Sequence, residues 1–171
     1  MSHSHSHSHS CRELLPITDL GAPDQVALRT LNNAHAQETS HLEPADWQAL
    51  LGAAEIAVAA PQAGGLLIGI APGAAYASEN YRWFCKRYEV FLYIDRVIVA
   101  PAQRGRGLAR AFYGFAAEHA RRCGLGRLVC EVNRVPPNPG SDAFHAALGF
   151  HELATVTRSP EKTVRYLELS L

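Results

Sequence analysis

The sequence predicts a single α/β domain on a mixed sheet, with the element order β-α-α-β-β-β-α-β-α-β-β. Three observations lead there. The chain has 171 residues, enough for one compact domain with a real core and too few for two. The β-branched run Val97-Ile98-Val99 ends at Pro101, passes through Arg104-Gly105-Arg106-Gly107, and enters a helical pattern at Leu108, Ala109, Ala111, Phe112, Phe115, Ala116 and His119. Strand-like and helical runs share the chain with no internal repeat and no Pro/Gly/Ser linker between them.

The elements follow in order. Residues 13–19 read as a first strand, with Pro16 marking an edge or irregular position. Asp24 can cap a helix that carries Val26, Ala27, Leu28, Leu31 and Ala34 on one side. Glu43-Pro44-Ala45-Asp46-Trp47 opens a second helix with Pro44 in its first turn. The apolar runs Glu55–Ala60 and Gly65–Ala71 flank Pro61-Gln62-Ala63-Gly64 and read as a strand pair. Residues 76–88 are aromatic and form an irregular or helical insertion before the long strand Val90–Val99. A helix from about Gly107 to Arg122 ends near Gly124. Leu125–Val132 is a strand, Ser141–Leu148 a helix, and His151–Thr157 with Thr163–Leu169 a final strand pair.

Composition narrows the function. Lys plus Arg and Asp plus Glu are each 16, so the formal net charge is zero. A protein that grips nucleic acid needs a basic excess, so that class is not expected. The local cluster Arg104, Arg106 and Arg110 suits a small polyanion better. The apolar stretch Leu50–Ala77 is broken by Glu55, Pro61, Gly64, Gly65 and Pro72, so it is no membrane span, and no secretion signal is visible. Cys11, Cys85, Cys123 and Cys130 form no C-x-x-C pair, which predicts reduced, mostly buried thiols, a cytoplasmic location and no metal. Residues 1–11 form a His/Ser-rich tail that cannot bury anything; it is read as a disordered purification tag, leaving 12–171 as the domain.

The turn after Val99 carries the chemistry. The first N–H groups of a helix lack internal partners and the macrodipole favours an anion there. Gly105 and Gly107 let a phosphate approach the backbone. Arg110 stands where a dinucleotide fingerprint needs its third Gly, and no P-loop is present. Arg104-x-x-Gly107-x-Ala109 instead resembles the Q/R-x-x-G-x-G/A signature of the GNAT acetyltransferase superfamily. About thirty residues downstream, Asn138, Ser141, His145, Gly149 and Phe150 match the spacing of its N-x-x-A-x-x-x-Y-x-x-x-G-F motif. Ser141 replaces Ala and His145 replaces Tyr.

The resemblance implies a GNAT domain whose two central strands, Val90–Val99 and Leu125–Val132, splay around acetyl-CoA. The main chain of Val97, Ile98 and Val99 would pair with the pantetheine amides. The amides of Arg104, Gly105, Arg106, Gly107, Leu108 and Ala109 would hold the pyrophosphate, with Arg104 or Arg106 adding charge or remaining solvated. Asn138 aligns with a residue that helps hold pantetheine; alone, it reads equally as a turn former. His145 aligns with the Tyr that protonates the leaving thiolate, a task an imidazolium can perform; otherwise it is a helix-surface ring.

A base must take a proton from the amine. Asp95 and Glu131, on the two central strands, are the candidates. Strand alternation places Asp95 on the face of Val97 and Tyr93, although Asp95-Arg96 can equally be a structural ion pair. Cys130 has no adjacent base in sequence, so no acyl-enzyme is expected. Glu38, His41, Tyr76, Glu79, Tyr81 and Trp83 are candidate acceptor contacts, or simply core. The resulting expectation is an acetyl-CoA-dependent N-acetyltransferase. It would act on a small amine or peptide amine by direct attack in a ternary complex, and can be a homodimer. A non-catalytic CoA-binding sensor is the alternative.

Overall fold

The computed structural model describes residues 13–171, so the expected tail and Cys11 lie outside the described residues. The strands are β1 (Leu15–Pro16), β2 (Ile56–Ala59), β3 (Gly65–Ile70), β4 (Leu92–Val99), β5 (Arg127–Val135), β6 (His151–Ser159) and β7 (Lys162–Ser170). The helices are α1 (Ala22–Ala34), α2 (Pro44–Ala53), α3 (Glu79–Arg87), α4 (Leu108–Arg122) and α5 (Pro139–Leu148). The strands form one seven-stranded mixed sheet in the order β1-β2-β3-β4-β5-β7-β6. Among the described residues, no helix is long and apolar enough to cross a membrane.

Two apolar layers cover the sheet. Leu28 of α1, Trp47, Leu50 and Leu51 of α2, and Tyr81 and Phe84 of α3 pack on one face with Leu66, Ile68, Tyr93 and Ile98. Leu108, Phe112, Tyr113, Ala116 and Ala120 of α4 pack on the other with Leu67, Leu92, Ile94, Leu128 and Val132. Gly65 makes the second layer possible. A Cβ there would sit 2.6 Å from the Ile98 carbonyl oxygen and 3.1 Å from Leu108 and Phe112 side-chain carbons.

Several expectations change. The first strand shortens to Leu15–Pro16 before a 3-10 turn, because Pro16 cannot donate to the ladder. α1 starts at Ala22 with Pro23 in its first turn, so Gly21 rather than Asp24 is the cap. Its buried side is Leu28 and Asn32, and Val26 is exposed. Residues 79–87 are a true helix: the Ser78 side chain accepts the Tyr81 N–H, and Lys86 and Arg87 fall in the last turn, where the macrodipole favours them. Of the described thiols, only Cys130 is buried; Cys85 and Cys123 are exposed.

The feature that positions the site is where the sheet opens. β4 and β5 run parallel but pair only at Leu92–Leu128 and Tyr93–Val129. Beyond that point they part, while β4 stays paired with β3 as far as Val99 and β5 with β7 as far as Val135. One edge of β4 beyond Tyr93 therefore has no strand beside it.

Candidate functional site

A cavity of about 380 Å³ occupies the gap between β4 and β5. Its walls include Tyr76, Asn80 and Tyr93 from the α1–α3 side of the sheet, and Tyr113, Ser141 and His145 from the α4–α5 side. The opening thus passes through the sheet, so two molecules can meet there from opposite faces.

β4 bends at Asp95. Ile68 pairs with Arg96 and Gly69 with Ile94, so Asp95 is an extra residue, a β-bulge. The bulge breaks the expected alternation. Val97 and Val99 pack toward the α4 layer, whereas Asp95 meets Tyr76 on the Tyr93 side. Asp95 and Val97 therefore lie on opposite faces, a correction to the sequence expectation; Tyr93 and Asp95 do share one. Both Asp95 oxygens are taken: Oδ1 accepts the Tyr76 hydroxyl, and Oδ2 accepts Arg96 Nε at 2.6 Å. Both side chains of this ion pair are almost fully buried. Arg96 also donates to Asn32 Oδ1 at 2.7 Å and Ser40 Oγ at 3.3 Å. The pair thus ties the loop after α1, which walls the cavity, to the sheet.

Glu131 on β5 sits differently. Tyr93 Oη donates to its Oε2 at 2.7 Å and Asn80 Nδ2 to its Oε1 at 3.1 Å. Burial raises its pKa from 4.5 to about 7, against the pull of these two donors. The Tyr93 hydroxyl is pushed well above its ordinary value by burial and by the charge of Glu131, so it stays a donor. Asn80 is fixed in turn: its Oδ1 accepts the Tyr166 hydroxyl at 2.8 Å.

On the other face, His145 is buried against Tyr113, Phe144 and Phe150. Its Nδ1 lies 2.7 Å from the Ser141 carbonyl oxygen, which can only accept, so the proton sits on Nδ1. Nε2 then accepts the Tyr113 hydroxyl at 2.6 Å. Burial lowers the imidazole pKa below 6.5, so the ring is neutral at pH 7. The imidazolium expected from the sequence is not the resting form. Burial also raises the Cys130 thiol well above its ordinary value, which removes the thiolate a covalent route would need.

The turn between Val99 and α4 is rich in free donors. Gly105 and Gly107 have φ of +75° and +74°, a left-handed conformation that favours glycine. The first helical main-chain bond runs from Ala111 N–H to the Gly107 carbonyl. Among the described residues, the amides of Gly105, Arg106, Gly107, Leu108, Ala109 and Arg110 have no main-chain acceptor. The amide of Arg104 differs, because it bonds the Pro101 carbonyl, and the Arg104 side chain donates to His35 Nε2 at 3.1 Å. Asn138 lines the cavity and caps α5, accepting the Ser141 N–H at 3.3 Å. Free amides at a helix start, beside an unpaired strand edge, fit a ligand carrying a diphosphate followed by an amide-bearing arm.

Of the candidate acceptor contacts, Glu38 and Tyr76 line the cavity. Tyr81 is core, its hydroxyl bonded to the Ala71 carbonyl, and Trp83 stacks on Tyr166 at 4.2 Å. His41 turns outward to Glu43, and Glu79 is exposed on the first turn of α3. The sequence reading missed Tyr113 and Asn80. Tyr113 was detectable as the neighbour of Phe112 on the buried stripe of α4. Asn80 was not, since it reaches Glu131 across the fold.

The chain belongs to the GNAT acetyltransferases: the Acetyltransferase (GNAT) family matches residues 29–150. No curated protein matches it in sequence. Among solved structures it is similar to the NatC complex bound to Gag peptide and CoA, with 15% identity over 93% of this chain and 98% of that chain and a TM-score of 0.70. NAA60 of Arabidopsis thaliana in complex with acetyl-CoA gives 13%, 93%, 99% and 0.70 in the same order. YncA of Salmonella typhimurium with its cofactor acetyl-CoA gives 18%, 92%, 92% and 0.64. At these identities the likeness is one of fold.

Proposed function

We propose that the protein is an N-acetyltransferase that moves an acetyl group from acetyl-CoA to a primary amine in a ternary complex. The observation that carries this reading is the cavity through the sheet, with a carboxylate of pKa about 7 inside it and free amides beside it. Acetyl-CoA supplies the acetyl group as a thioester. The amides of residues 105–109 hold the pyrophosphate, with Arg104 and Arg106 at hand for the phosphates. The β4 edge at Val97, Ile98 and Val99 takes the pantetheine, and Asn138 borders it.

Glu131 is the base. A carboxylate tuned close to neutral pH can accept a proton from an incoming ammonium, directly or through water, and release it after turnover. Asp95, held as a charge in its buried ion pair with Arg96, serves as a positioning residue for Tyr76 and Arg96, whereas both donors to Glu131 are neutral. Of the two protons left on the amine, one stays as the amide N–H and the other leaves the tetrahedral intermediate as the C–S bond breaks and ends on the departing sulfur. At rest His145 Nε2 holds the Tyr113 hydroxyl by accepting its proton in a hydrogen bond, and as the C–S bond breaks the hydroxyl turns that O–H toward the charge developing on the sulfur. Much of the rate then comes from positioning amine and thioester.

The acceptor enters from the Tyr76, Asn80 and Glu38 side. Small amines and peptide amines both fit this reading, and the Gag peptide in the NatC complex favours including peptides. The test is thiol release from acetyl-CoA with a panel of polyamines, amino acids and short peptides. Amine-dependent thiol release supports the reading. Thermal stabilisation by CoA with no amine giving turnover would replace it with the sensor.

A further inference from the structure

A second group of ligating side chains lies away from the cavity. Glu55, just before β2, meets His119 and Cys123 at the end of α4, with their ligand atoms all within 4.8 Å of one another. His119 Nε2 is 3.0 Å from Glu55 Oε1 and 3.5 Å from Cys123 Sγ. We propose that these three side chains form a zinc site with an open fourth position. The spacing carries the inference. Around a tetrahedral zinc ion, ordinary bond lengths place N and O about 3.3 Å apart and S and N about 3.5 Å apart. The ligands therefore need no rearrangement larger than a few tenths of an ångström along the two contacts given. A nitrogen, a sulfur and a carboxylate oxygen are a zinc-type donor set, and the thiolate disfavours magnesium or calcium.

The backbone holds all three ligands in place. His119 stands in the last turn of α4 and Cys123, four residues on, is its C-cap, with the Cys123 N–H bonded to the His119 carbonyl at 3.0 Å. Glu55 is fixed by its own N–H, which donates to the Gly69 carbonyl at 2.9 Å. The site lies at the C-terminal end of α4, where the macrodipole favours a cation. At helical rise this is about 20 Å from the turn that starts α4, so the ion would clamp the end of α4 to the start of β2 and take no part in acetyl transfer. The sequence expectation of no metal rested on cysteine spacing and could not see Glu55 beside α4.

The test is site-resolved alkylation of the full chain by iodoacetamide, with and without zinc, read by peptide mass spectrometry. Zinc should slow labelling of Cys123 at least about tenfold and leave the exposed Cys85 unchanged. His119→Ala should abolish the protection and Glu55→Gln weaken it, with the buried Cys130 still unlabelled as proof of folding. Cobalt(II) should give a thiolate charge-transfer band that Cys123→Ser removes. Equal labelling of Cys123 with and without zinc would overturn the site. So would protection that persists in both His119→Ala and Glu55→Gln, because the histidines of residues 3–9 would then be supplying the ligands.

Discussion

Glu131→Gln should separate catalysis from stability, because the same burial that tunes the carboxylate also destabilises its charged form. The folded pKa is about 7 against 4.5 for the ordinary group. That difference corresponds to about 3 kcal/mol in favour of the protonated fold. A carboxyl raised in this way contributes its full stability below pH 4.5 and loses it as pH rises through 7. Gln resembles the protonated acid in size and in its hydrogen-bonding pattern, and it does not titrate. The variant should therefore match the wild type near pH 4.5 and exceed it by about 3 kcal/mol near pH 8. Urea unfolding of both proteins from pH 5 to 8, without ligand, gives this difference directly and cancels groups they share. Turnover should fall by about 10² to 10⁴ in the same variant. In the wild type, kcat/KM should rise with pH through an inflection near 7. A difference in unfolding free energy that stays flat across this range would refute the tuned carboxylate. Full turnover in Glu131→Gln at pH 8 would remove it as the base.

Asp95→Asn leaves the buried Arg96 guanidinium without its counter-charge and should cost about 3 kcal/mol, read by urea unfolding; an unchanged midpoint would deny the pair its structural role. Tyr113→Phe and His145→Phe should each lower kcat by about tenfold with KM for acetyl-CoA nearly constant, and the double variant should lose no more than either single one. Additive losses would show that the two side chains act separately. Gly107→Glu places a side chain at φ +74° and a negative charge beside the proposed phosphate site. It should weaken acetyl-CoA binding by at least about 100-fold by calorimetry while costing about 1–2 kcal/mol of stability. Unchanged affinity would move the site elsewhere.

The parts of the fold written in local pattern were legible. The run into Gly107 and α4 combines β-branched residues, a turn and a helical stripe, and each signal is strong alone. The Asn138 motif was legible for the same reason, since its turn and cap are encoded by neighbours. The bulge at Asp95 was not: β4 itself carries no Gly or Pro there, the glycine at the register shift is Gly69 on β3, and the bulge arises from the pairing of these two distant segments. α3 was obscured by its aromatics, although Ser78 and the Lys86-Arg87 pair are ordinary helix ends. The candidate site divided in the same way. Its cofactor side follows consecutive residues, while the environments of Glu131 and His145 depend on Asn80, Tyr93 and Tyr113 converging from three elements. Residue type named these two groups; only the packing around them gives Glu131 a pKa near neutrality and leaves His145 uncharged.

A crystal structure with bound CoA would show whether the cleft between β4 and β5 is the cofactor site. The diphosphate should lie on the amides of residues 105–109, and the pantetheine should run along the free edge of β4 toward Tyr113. A ligand bound anywhere else, with the cleft between β4 and β5 still vacant at saturating CoA, would contradict this placement.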